Sequence, residues 1–138
     1  MVDRPVVLAR LAKIREYVAL LRKIRSLTDE RTFVSDPLVH GNAERYLQLA
    51  IQAVLDVSHH LVADLKLGLP ADNRDLFEQL ARHRIVTVRL SQKLVRMAGF
   101  RNLLVHEYLE IDRHRVFAIL QDELGDFERF IQAVSKRL

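Results

Sequence analysis

An all-α fold, a single antiparallel helical bundle of about five helices, follows from three observations on the sequence. Apolar residues recur at three-to-four spacing along most of the chain. Proline and glycine fall at a few separated places, Pro5, Pro37 to Gly41, Gly68-Leu69-Pro70 and Gly99, which cut the sequence into long helix-compatible segments. No stretch alternates apolar and polar residues over several positions with β-branched enrichment, so strands are not expected.

The first segment, Pro5 to about Leu27, carries Val7, Leu11, Ile14, Val18 and Leu21 on one face, with Asp3 as a candidate cap ahead of Pro5. The second starts after Asp36-Pro37 and reaches about Lys66, striped by Leu47, Ile51, Val54, Leu61 and Leu65. A short third helix is expected from about Asp72 to His83 on Leu76, Phe77 and Leu80. The fourth starts near Thr87 and runs through Leu90, Leu94 and Met97. The last opens at Asp112, a good N-cap residue, and continues without a break through Val116, Ile119, Leu120, Leu124, Phe127, Ile131 and Val134. Gly125 is read as a tolerated interior glycine, and His40 as a loop residue between Pro37 and Gly41. Short connections make neighbouring helices antiparallel.

Composition bounds the function. The 138 residues are 49% hydrophobic and 29% charged, the balance of a folded globular chain. With no cysteine, disulfides, thiolate zinc sites and cysteine nucleophiles are excluded. The net charge of +4, from 22 basic and 18 acidic residues, permits a nucleic-acid partner without demanding one. Neither a signal peptide nor a membrane span is expected, which makes the cytoplasm the default location.

The chemistry concentrates in Arg101-Asn102-Leu103-Leu104-Val105-His106-Glu107-Tyr108. On a helix advancing about 100° per residue, Phe100, Leu103 and Leu104 share the core side. Asn102 and His106 then stand side by side at i,i+4 and face away from it. A lone histidine is more often structural than catalytic, but this one is directed off the core. An imidazole can take the proton of a ribose 2′-hydroxyl or protonate a leaving oxygen, and the planar fork of Arg101 suits a phosphate. Asn102 can fix the imidazole or hold a phosphate oxygen. One histidine does not serve comfortably as acid and base at once, so a symmetric homodimer pairing two copies of the motif is expected. Tyr108 reads either as part of this group or as an aromatic plug over the bundle.

Arg101-x4-His106-x-Tyr108, with Asn102 after the arginine, resembles the R-x4-6-H-x-Y signature of HEPN domains. The flanking text from Phe100 to Tyr108, Ile111-Asp112, the Glu44 to Ala53 stretch, the Gly68-Leu69-Pro70 loop and the Leu80 to Leu94 passage are similar to HepT-type toxins. The resemblance covers most of the chain and implies one HEPN domain over residues 1–138, a homodimer, and a metal-independent ribonuclease that uses no cofactor. It further implies a toxin of a toxin–antitoxin module, neutralised when a minimal nucleotidyltransferase antitoxin transfers AMP to Tyr108. Arg101 and His106 are then the catalytic candidates, with Asn102 and Tyr108 in support. The rival expectation is a non-nuclease nucleotide- or partner-binding module whose motif is chiefly a modification site.

Asp56, His60 and Asp64 repeat at i,i+4 on the second helix beside His59. Such a row is more often a solvated or intersubunit face than a metal site, so Asp56 and His60 are kept as secondary cleft candidates and no metal is expected. His40, His83 and His114 have no spacing that suggests catalysis, and Arg82, Arg84 and Arg89 read as a basic surface.

Overall fold

The computed structural model describes residues 2–106 and 111–138. Among these there are seven helices and no strand: α1 (Arg4–Leu27), α2 (Glu30–Ser35), α3 (Pro37–Asp64), α4 (Asn73–Arg82), α5 (Val88–His106), α6 (Arg113–Asp122) and α7 (Gly125–Ser135). The bundle is all-α as the sequence predicts, with two helices beyond the expected five.

Each difference has a local cause. Helix α2 lies in a stretch too short to display a period. Asp29 caps it by accepting the Thr32 N–H at 2.8 Å, and one residue anchors it, the fully buried Phe33 against the rings of His40 and Phe117. The expected long last helix breaks at Glu123-Leu124, so Gly125 opens α7 instead of sitting inside a helix. The apolar stripe runs across this break because Leu124 and Phe127 stay buried on both sides of it. Gly99 breaks nothing and lies within α5. His40 is not in a loop: α3 starts at Pro37, capped by the Asp36 carboxylate at the Leu38 N–H, which puts His40 and Gly41 in its first turns.

Helix α3 is the spine. It packs along α1 and also touches α2, α4 and α5. Antiparallel pairing with α1 is fixed by Asp64 with the Asp3 N–H, Arg10 with Asp56, and Tyr17 stacked on Tyr46. Buried Leu11, Ile14, Val18 and Leu21 face buried Leu47, Ala50, Ile51, Val54 and Leu61 in one continuous core. Helices α6 and α7 close the other side. There the Arg25 guanidinium donates to the Leu120 carbonyl at 3.1 Å, Arg22 pairs with Glu128, and Lys93 of α5 reaches the buried Asp126 at 3.3 Å.

Helices α3 and α4 end alike. Lys66 and Arg84 take left-handed backbone at φ 55° and 58°. The Lys66 and Leu67 N–H groups donate to the Ala63 and Val62 carbonyls, and the Arg84 and Ile85 N–H groups to those of Ala81 and Leu80. This is the Schellman arrangement with non-glycine residues at the position that favours glycine. Replacing Arg84 with glycine is expected to stabilise the protein by about 1 kcal/mol, read as a higher midpoint in urea unfolding with unchanged slope.

Two helix starts are acid-sensitive. The Thr32 N–H holds the Asp29 carboxyl below its ordinary 3.8, and the Ala71 N–H does the same for Asp75 in the first turn of α4. A lowered folded-state pKa contributes stability above the ordinary value, and that contribution is lost as the pH falls through the lowered one. Thermal midpoints are therefore expected to drop as the pH falls below about 4, and Asp29→Asn to flatten part of that slope.

Candidate active site on helix α5

Helix α5 is anchored at its start by the Thr87 hydroxyl oxygen, which accepts the Leu90 N–H at 3.1 Å. Leu90, Leu94, Ala98, Phe100 and Leu104 bury one side of the helix. The turns that carry Arg101, Asn102 and His106 are thereby fixed in rotation. Asn102 and His106 are exposed, Leu103 is half-buried and Phe100 and Leu104 are in the core, as the wheel predicts.

Arg101 is half-buried. Its Nη1 donates to the Asn102 Oδ1 at 3.4 Å, and its Nε is buried with no partner among the described residues. A guanidinium whose stem is packed and whose donors are largely uncommitted is preorganised for an anion. His106, the last residue of α5, has no hydrogen-bond or ion-pair partner among the described residues. Its imidazole is free for proton transfer. Tyr108 lies outside the described residues. The structure thus brings Arg101 and Asn102 into contact, with His106 one turn beyond Asn102 on the same exposed face.

The secondary candidates are placed differently. Asp56 accepts from Arg10 at 3.5 Å and from Gln52 at 2.9 Å, so within the chain its carboxylate is committed to the α1–α3 seam. His60 is half-buried one turn further along α3. Glu44 lies twelve residues before Asp56, about 18 Å of helix, at the end of α3 that meets α6. No group of three or more His, Asp or Glu side chains among the described residues is arranged to hold a metal ion.

The chain on the far side of the motif is clamped. Arg113, in the first turn of α6, donates from Nε and Nη2 to the two Glu44 carboxylate oxygens at 3.2 and 3.5 Å. His40 Nδ1 lies 3.2 Å from the same carboxylate. The Glu44 and His40 side chains are each 12% exposed. Asp112 caps α6 through the His114 N–H, and the His114 ring reaches Glu30 at 2.9 Å. Sequence reasoning missed the Glu44–Arg113 link because 69 residues separate its ends.

A cleft of about 170 Å³ opens beside the motif between α3, α5 and α6, with Phe100 in its wall. The Arg115 guanidinium lies over the Phe100 ring at 4.9 Å.

Helix order, the buried side of α5 and the Arg-x4-His-x-Tyr spacing together make the fold and motif specific. The profile of the Ribonuclease HepT-like family matches residues 14–134. The chain belongs to this family. It is 30% identical over 129 residues to the mRNA nuclease HepT of Shewanella oneidensis, covering 94% of this chain and 96% of that one. It is 32% identical over 137 residues to the tRNA nuclease HepT of Aphanizomenon flos-aquae, covering 97% and 91%. Among solved structures it superposes with a TM-score of 0.88 on the tri-AMPylated HEPN toxin of Shewanella oneidensis in complex with its MNT antitoxin, at 29% identity and 99% coverage of both chains. No helix among the described residues is long and apolar enough to cross a membrane.

The clamp yields a prediction. Glu44→Ala strands the half-buried Arg113 and should cost about 2 kcal/mol in chemical unfolding. Arg113→Ala combined with it should be less than additive, because both changes remove the same link.

Proposed function

We propose that this HepT-like protein is the ribonuclease toxin of a toxin–antitoxin pair, acting as a homodimer in the cytoplasm. The observation that carries the reading is the free, exposed His106 at the end of a rotationally fixed helix, with the packed Arg101 guanidinium on the same turns. The relatives named as mRNA and tRNA nucleases support the substrate class.

In this mechanism His106 of one copy takes the proton of a ribose 2′-hydroxyl, whose oxygen attacks the adjacent phosphorus. The bond from phosphorus to the 5′-oxygen breaks, and His106 of the second copy protonates that oxygen. The products are a 2′,3′-cyclic phosphate and a free 5′-hydroxyl. Arg101 stabilises the charge that develops on the phosphoryl oxygens, and Asn102 orients Arg101 through its side-chain oxygen. One imidazole per chain exposed on one face makes the homodimer the unit that supplies both acid and base.

The antitoxin is a minimal nucleotidyltransferase that silences the toxin by transferring AMP from ATP to Tyr108, with release of pyrophosphate. The solved Shewanella relative, AMPylated and held by its MNT antitoxin, supports this regulation. Adenylate on the motif tyrosine would add bulk and negative charge where RNA phosphate must enter.

Purified protein should cleave single-stranded RNA in excess EDTA. His106→Ala should lower the rate by at least about a hundredfold with an unchanged circular dichroism spectrum. Equal cleavage by both proteins would remove His106 from the chemistry. Intact mass after incubation with the nucleotidyltransferase, ATP and magnesium should rise by whole adenylate units. Tyr108→Phe should abolish that rise, and adducts that persist would rule out the tyrosine as acceptor.

A further inference from the structure

The cleft beside the motif holds three charged side chains that the mechanism does not use. Arg96 comes from α5, Arg115 from α6, and Glu123 from the end of α6. None of them forms an ion pair among the described residues, although ten such pairs are made elsewhere. Their floor is apolar, built from Leu47, Met97 and Phe100. At about 170 Å³ the cleft is smaller than the sites that enclose drug-sized ligands, and suits a flat ring better than a whole nucleotide.

Each wall has a distinct chemical use. The Arg115 guanidinium carbon already lies over the Phe100 ring at 4.9 Å, and the planar group offers a platform for a base. Arg96 is exposed and offers uncommitted donors to a phosphate. Glu123 brings a carboxylate, a group that in its charged form accepts hydrogen bonds only. A carboxylate is matched by two adjacent donors, and guanine alone among the RNA bases has them on its Watson–Crick edge, at N1–H and the 2-amino group. Adenine and cytosine set a ring-nitrogen acceptor beside their amino group, and uracil flanks its one N–H with carbonyls.

We infer that this cleft is a guanine subsite, in which the base stacks on Arg115, Glu123 accepts from its N1–H and 2-amino groups, and Arg96 engages its phosphate. Arg96 precedes His106 by ten residues, about 15 Å of helix, so the guanosine sits away from the bond that is cut. It acts as a specificity determinant for the RNA substrate. Guanine recognition as such is independent of the nuclease reading; only its role in RNA selection rests on that reading.

Calorimetric titration of the purified full chain with GMP, AMP and IMP tests the subsite directly. GMP should bind about tenfold more tightly than AMP or IMP, since each competitor lacks at least one of the two donors. Glu123→Gln should erase that preference, whereas Arg96→Ala should weaken all three nucleotides alike. The thermal midpoint of Glu123→Gln should match wild type, because Glu123 contributes a backbone N–H to the Ile119 carbonyl and no ion pair. Equal binding of GMP and AMP, or a preference that survives in Glu123→Gln, overturns the subsite. In RNA, replacing guanosine by inosine across a cleaved oligonucleotide should lower kcat/KM about tenfold for wild type and leave Glu123→Gln indifferent. Wild type that cleaves both oligonucleotides alike overturns the role in RNA selection. Selective GMP binding with no cleavage of any RNA supports the subsite and overturns the ribonuclease reading.

Discussion

The burial of one side of α5 against α3, α4 and α7 is the constraint on which the functional surface depends. A helix with Leu90, Leu94, Ala98, Phe100 and Leu104 in the core cannot rotate without exposing them. Full burial of a leucine or phenylalanine contributes about 1.5–3 kcal/mol. The rotation that buries them turns Asn102 and His106 outward and leaves Arg101 at the boundary, with its stem packed and its head available. Packing therefore selects which side chains of α5 reach the surface.

That arrangement needs a firm partner, and α3 provides it. Its 28 residues span about 42 Å and are buried on the sides that meet α1 and α5. The same helix contributes Glu44, which fixes Arg113 just beyond the motif, and Leu47, which floors the neighbouring cleft. Motif, clamp and cleft thus share one rigid support, so a base held near Phe100 is held in register with the imidazole at His106. Half-buried ion pairs such as Glu44–Arg113 gain less from attraction than from the cost of stranding either charge. This makes them better at fixing a position than at adding stability.

Much of this was legible in the linear pattern. Val7 to Leu21 and Leu47 to Leu65 read as amphipathic helices because the 3.6-residue repeat persists over many turns. The same repeat placed Phe100, Leu104, Asn102 and His106 on their observed sides. Helix α2 was not legible, since six residues hold too few apolar positions to display a period. The break at Glu123-Leu124 was hidden because the apolar stripe continues across it. Pro37 and Gly41 looked like a loop, yet proline suits the first turn of a helix, and the Asp36 cap made it one.

The sequence by itself determined an all-helical chain and a family-specific group, Arg101, Asn102, His106 and Tyr108, whose side-chain types suit phosphodiester chemistry. Helical periodicity and residue chemistry are local properties, so they survive in one dimension. Only the tertiary structure decided that Asp56 is held by Arg10, that Glu44 meets Arg113 across 69 residues, and that Arg96, Arg115 and Glu123 border one cleft. Those meetings depend on which helix faces pack together, and no spacing along the chain encodes them.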